Sequence, residues 1–310
     1  MDTTILGKTG LKISIMGVGG GGPSKLGQQE NKPAADSIAI VRQALNAGVN
    51  FIDTHEGYGT EEIIGKAIEG IGRDNVVIST KKKSKRPISP QDVHNSLETS
   101  LKRLGTDYID IYSLHGVLPE DYDYLLSEIL PLFLRLREQG KIRFIGITEM
   151  FNEDLTHSVL KRALKDDVFD VMMVGFNILN QTARDAVLTE AIQRNIGIQV
   201  MFAVRAALSK PDKLVEIVTD LIDRGQLDSK DINPENPLGF LISEGHAKSL
   251  TDAAYRFCRQ EPGTHVVLSG TGKLDHLKAN IESLSQPPLP IEVVDRLKHI
   301  FRNVDSVTGQ

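Results

Sequence analysis

Short apolar runs along the chain alternate with longer segments whose apolar residues recur at helical spacing. That alternation predicts parallel βαβ units. Strands are expected in ISIMGVG, VNFID, NVVIST, YIDIYSL, IRFIGIT, FDVMMV, IGIQVMF and HVVLSG, which are rich in β-branched or aromatic residues and bounded by Gly, Asp and Asn. Helical patterns fall between them near 34–47, 61–69, 89–104, 124–139, 152–164, 183–195, 210–223 and 251–260, and two more follow near 274–284 and 291–301. Ser89 before Pro90 marks one helix start, and Asn152 before an acidic pair marks another. The opening stretch TTILGKTGLKISIMG reads as a hairpin turning at Lys8-Thr9-Gly10.

Eight strands with interleaved helices match an α/β fold of the closed (β/α)8 type, a TIM barrel preceded by a short N-terminal hairpin. The rival, an open doubly wound sheet, favours an early GxGxxG that opens a helix. Here GVGGGG leads instead to Pro23 and a polar loop. A chain of 310 residues is long enough for two domains, yet barrels of about 250 residues fold as one, so residues 1–310 are read as a single domain.

In such a barrel, active sites are built from strand ends on one face. Asp53 and Tyr58 in FIDTHEGYG, Lys81 in VVISTKKK and His115 in IDIYSLHG all fall at the C-terminal ends of expected strands. A tyrosine flanked by a lysine, an aspartate and a histidine is a candidate proton donor with a tuned pKa. Taken singly, each has a plainer reading. Asp53 suits a helix cap, Tyr58 a turn contact, and the run 81–86 a solvated basic loop or an attractor for an acidic substrate. His55, His94 and His115 lack the compact spacing of a zinc site.

Composition narrows the partners. A net charge of −5 gives no electrostatic reason to expect nucleic acid or an anionic membrane surface. Cys258 is the only cysteine, which excludes an intramolecular disulfide and suits a cytoplasmic location. The N-terminus lacks a signal-peptide pattern, and no apolar run of about 18 residues is present. Oligomeric state is left open.

Taken together, GVNFIDTHEGYGTEEIIGKAIEG, LKRLGTDYIDIYSLHG, GKIRFIGIT and VVLSGTGKLDHLKANIESL resemble the signatures of the aldo-keto reductases over nearly the whole chain. The resemblance implies a barrel that binds a nicotinamide dinucleotide without a Rossmann domain. It also implies an NAD(P)-dependent oxidoreductase acting on a carbonyl, an alcohol or a sugar. Tyr58 would be the proton donor or acceptor, Lys81 would favour its phenolate, Asp53 would hold Lys81, and His115 would orient the carbonyl oxygen. A nucleotide-sensing binding module, like the potassium-channel beta subunits that share the fold, is the alternative.

The same resemblance assigns cofactor contacts. Gly19 and Gly20 would allow backbone approach, with Asp53 beside them. Ser269, Gly270, Thr271 and Asn280 would form the phosphate and adenine site. Gly270 and His276 stand where the family often carries 2′-phosphate cations, and Lys273 lies nearby. NADP is thus favoured by family habit, with NAD possible. Around the nicotinamide the chain departs from the family. Thr148-Glu149 replaces Ser-Asn, Met173 replaces a glutamine, and Phe202 is the nearest candidate for the stacking aromatic. If Glu149 faces the nicotinamide, its charge would favour the oxidised cofactor.

Overall fold

The computed structural model describes residues 1–310 and contains an eight-stranded closed barrel preceded by a two-stranded sheet. The antiparallel pair is β1 (Thr3–Ile5) and β2 (Lys12–Ser14), joined through a 3₁₀ turn at Gly7–Thr9 and a left-handed Gly10. Around the barrel run β3 (Met16–Gly19), β4 (Phe51–Asp53), β5 (Val77–Lys83), β6 (Ile109–Val117), β7 (Ile142–Glu149), β8 (Val171–Gly175), β9 (Gly197–Met201) and β10 (Val266–Ser269). Every neighbouring pair is parallel, and β10 closes onto β3.

Strand alternation sorts the side chains into two layers. Phe51, Val77, Ile111, Val171 and Val266 form an inner cluster with Leu6, Leu11 and Ile13 of the hairpin region, which plugs the N-terminal end of the barrel. Ile52, Ile78, Tyr112, Ile145 and Ile147 have the opposite parity and join a 77-residue cluster between barrel and helices. Two residues beyond Phe51, Val77 and Ile111 on the inward parity come Asp53, Ser79 and Ser113, and two further on come Lys81 and His115. The inward face is therefore apolar at the plugged end and polar at the other.

The helices depart from their expected bounds for local reasons. Ser89 accepts from the Asp92 amide and Asp92 returns the bond, a capping box that fixes the start of the helix Pro90–Leu104. The helix expected from residue 152 begins only at Ser158, because Asp154 takes up the Ser158 and Val159 amides at 2.9 Å each and His157 is left-handed. Asp154, not Asn152, supplies the carboxylate for the first helix amides, and His157 is the N-cap. The helix near 124–139 contains a wide π turn at Leu125–Ile129 just before Pro131, whose missing N–H interrupts the regular ladder. A second π turn, Arg184–Leu188, opens the helix expected over 183–195 and leaves only Thr189–Gln193 regular. No helix is long and apolar enough to cross a membrane.

Candidate active site

Four side chains converge at the open end of the barrel. Asp53 closes β4, Lys81 lies on β5, His115 on β6, and Tyr58 on the turn that follows β4. Lys81 Nζ donates to both Asp53 oxygens at 2.6 Å and to the Thr54 carbonyl at 2.7 Å. Ser79 Oγ donates to Asp53 at 2.9 Å. Tyr58 OH lies 3.2 Å from His115 Nε2, and Lys81 Nζ lies 5.8 Å from the centre of the Tyr58 ring. The tyrosine ring abuts Gly21, where any Cβ would collide with it. The four expected residues are thus brought together.

The electrostatics are governed by burial. Burial pushes the Asp53 carboxyl up and the Lys81 ammonium down, while each charge counters the shift of the other. Tyr58 is held well above its ordinary value by burial first and by the Asp53 carboxylate second, with Arg205 opposing. This differs from the expected pull toward phenolate. Among the neighbouring charges, the Asp53 carboxylate acts on the phenol more strongly than the opposing Arg205. The free site consequently presents a protonated tyrosine. His115 is lowered to about 2 by burial and then by Lys81, so its ring is neutral.

His55, a metal candidate by residue type alone, belongs to this cluster. Its ring lies 4.8 Å from that of Tyr58 and 4.3 Å from that of His115, centre to centre. The Gly57 amide donates to Nδ1 at 3.0 Å, which places the proton of the neutral ring on Nε2, a buried atom with no partner. Burial, and then Lys81, lowers His55 to about 4. No group of three His, Cys, Asp or Glu side chains forms a metal cage.

The expected cofactor residues fall into three places. At the ends of β3 and β10, Gly19 faces the Ser269–Gly270 backbone, and Gly20 N–H donates to the Asp53 carbonyl at 2.7 Å. Ser269 Oγ accepts from Asn280 Nδ2 and from Tyr255 OH, both at 2.9 Å, so the structure brings Ser269 and Asn280 together beside a buried tyrosine. Thr271 Oγ1 accepts from the Lys273 amide, while the Lys273 and His276 side chains are exposed. Lys32, which the sequence did not single out, donates to the Gly272 carbonyl at 2.7 Å. It arrives there because Lys25, Leu26, Gly27 and Asn31 all adopt positive φ and fold the segment against Gly272.

Within the barrel, Thr148 Oγ1 accepts from the Gly116 amide at 2.7 Å, and Met173 pairs in register with both Thr148 and Gln199. Gln199 is buried, and its Oε1 has no partner. Phe202 holds a left-handed φ of 66° and meets Phe151 edge-on. Glu149 lies apart from these residues. It shares the outward parity of Ile145 and Ile147, and its carboxylate accepts from the Gly175 amide at 2.8 Å and lies 2.8 Å from His157 Nδ1. His157 Nε2 in turn lies 2.9 Å from Thr182 Oγ1. The structure therefore directs Glu149 into the layer between barrel and helices.

A closed barrel with a half-buried tyrosine, a buried lysine–aspartate pair and a neutral histidine at its C-terminal mouth defines a class of barrel proteins with a polar site at the strand ends. The aldo/keto reductase family model matches residues 16–302, and the chain belongs to that family of oxidoreductases. It is 28% identical over 301 residues to L-galactose dehydrogenase of Arabidopsis thaliana, covering 92% of this chain and 89% of that protein. The NADH-specific methylglyoxal reductase of Escherichia coli is 29% identical over 219 residues, 63% of this chain and 65% of that one. An aldo-keto reductase of Bacillus halodurans in its holo form superposes with a TM-score of 0.74 at 23% identity, over 99% of this chain and 97% of that chain.

Proposed function

We propose that the protein interconverts a small carbonyl compound and its alcohol, or a sugar lactol and its lactone, with Tyr58 exchanging the proton. The observation that carries this is the Tyr58 hydroxyl 3.2 Å from His115 Nε2, beside the buried Lys81–Asp53 pair. A nicotinamide dinucleotide, when bound, supplies or accepts the hydride.

The residues present fit that group. Gln199 Oε1 is a buried acceptor without a partner, and the Gly19–Gly21 backbone has no side chains to bar close approach. Thr148, Met173, Gln199 and Phe202 would hold the nicotinamide end. Ser269, Gly270, Thr271 and Asn280 would hold the phosphate and adenine end. Lys273, at the start of the helix that carries Asn280, and Lys32, on the Gly272 carbonyl, support a modest preference for NADP over NAD.

In reduction, the protonated Tyr58 donates to the oxygen that develops negative charge, and His115 orients that oxygen. Both groups are in place before reaction, so little reorganisation is needed as charge appears. Lys81 serves mainly to hold Asp53 and the Thr54 carbonyl, and thereby the turn carrying Tyr58. In oxidation the same phenol must first lose its proton, which burial opposes. The lone buried Cys258 suits the cytoplasm.

The test is a panel of aldehydes, ketones, hexoses and α-oxoaldehydes assayed in both directions with NAD(H) and NADP(H). Hexoses and α-oxoaldehydes are included because the named relatives act on such compounds. Turnover that depends on Tyr58 is the expected result. Tight cofactor binding with no turnover on any member would favour the sensing module instead.

A further inference from the structure

Arg205 sits in the loop that follows β9, and its guanidinium has no acceptor. Every other arginine that is not exposed has one. Arg73 reaches Asp110, Arg184 reaches Glu261, Arg194 reaches Glu190, Arg256 the His246 carbonyl and Arg259 the Leu284 carbonyl. Arg205 instead lies flat on Phe202, its Cζ 3.6 Å from the ring centre, and its Nε is buried without a partner. Cation–π contact supplies part of what lost hydration removes, but it leaves the planar fork of N–H donors unused.

The fork stands at the reacting end of the pocket. A Cβ on Gly22 would lie 3.8 Å from Arg205 Nη1, and the adjoining Gly21 packs on the Tyr58 ring. The carboxylates nearby are already engaged: Asp53 by Lys81, and Glu56 by Lys82. Of the basic run 81–86, an attractor of acids in the sequence reading, Lys81, Lys82 and Arg86 are paired in this way, Arg86 with Asp121. Lys83 and Lys85 are exposed to water, and Arg205 is the half-buried cation left without an acceptor. Phe202, the platform beneath it, is itself held in a backbone region that non-glycine residues seldom adopt, a feature that persists where the surroundings demand it.

We propose that Arg205 binds an anionic oxygen group beside Tyr58, and that the preferred substrates are carbonyl compounds bearing a carboxylate or phosphate. This rests on the oxidoreductase reading above and names the substrate class for it. Charge-assisted, two-point recognition of a carboxylate by a guanidinium is strong when water is largely excluded. A single such contact corresponds to roughly tenfold to hundredfold in affinity.

The experiment compares 4-carboxybenzaldehyde with benzaldehyde in wild type, Arg205→Leu and Arg205→Lys, alongside the dissociation constant of the cofactor and the thermal midpoint of each protein. The expected result is that wild type favours the carboxylated aldehyde in kcat/KM. Arg205→Leu lowers that ratio at least tenfold, and Arg205→Lys keeps part of it. An unchanged ratio overturns the proposal. Weaker cofactor binding with both aldehydes slowed alike also overturns it, because the anion would then be the dinucleotide phosphate. If wild type reduces neither aldehyde, the oxidoreductase reading fails for this pair. Calorimetric titration of benzoate against benzamide then decides Arg205 separately: selective benzoate binding that is lost in Arg205→Leu supports the site, and equal binding of the two overturns it.

Discussion

Replacing Lys81 by methionine removes a cation that is 1% exposed and donates to three oxygens within 2.7 Å. At 2.6 Å and an effective dielectric of about 20, the gross attraction between Lys81 and Asp53 is about 6 kcal/mol, and burying both charges offsets most of it. The pair is therefore close to neutral for stability, whereas half of it is not. In Lys81→Met, Asp53 keeps only the Ser79 hydroxyl at 2.9 Å, and an uncompensated buried carboxylate costs about 3–5 kcal/mol. Urea unfolding at pH 8 measures this. The double variant Asp53→Leu/Lys81→Met is expected to recover most of the loss. The deficit of the single variant is also expected to shrink as pH falls, because the raised pKa of Asp53 lets it bind a proton in the folded state and dispense with the cation. A loss below 1 kcal/mol in Lys81→Met, or a double variant as unstable as the two single losses added together, would refute the reasoning.

With His115 near 2 and His55 near 4, neither titrates around neutrality, and Tyr58 lies above its ordinary value. The reductive kcat is therefore expected to be flat from pH 6 to 9, and a limb near 6.5 would contradict the neutral-histidine site. The depressed histidine values also carry a stability prediction: the stabilisation is complete above about pH 6.5 and is lost as pH falls below it, at up to about 1.4 kcal/mol per pH unit for each ring. Glu149→Gln is expected to lower stability and to change the affinity for oxidised and reduced cofactor equally, since its oxygens are engaged by His157 and the Gly175 amide; fluorescence titrations that show selective loss of the oxidised form would contradict this. Lys273→Ala and Lys32→Ala together are expected to remove most of any NADP preference, and dissociation constants that keep an unchanged ratio would clear both lysines.

The barrel and its four central residues were legible because both depend on local pattern. Period-two strands put Asp53, Lys81 and His115 on the inward parity, and the turn after β4 needs only five residues to return Tyr58 to them. What stayed hidden was set by contacts distant in sequence. Lys32 reaches Gly272 through a run of positive φ that no propensity suggests, and Arg205 stands out only once every other half-buried arginine has a visible acceptor. The partners of Glu149 were hidden for a related reason. Its parity was readable from Ile145 and Ile147, but the left-handed His157 that holds it lies in a stretch where a regular helix was expected. The neighbours of His55, the rings of Tyr58 and His115, come from two strand ends, and residue spacing does not reveal them.

The central claim is that Tyr58 transfers the proton. Tyr58→Phe keeps the ring against Gly21 and removes only the hydroxyl that faces His115. The decisive measurement is the single-turnover rate of hydride transfer with saturating cofactor and a substrate that the wild type reduces, paired with the cofactor dissociation constant. The expected result is a loss of about 10²–10⁴-fold in rate, typical for a general acid, with cofactor affinity unchanged. A rate within a few-fold of wild type at unchanged affinity would contradict the account.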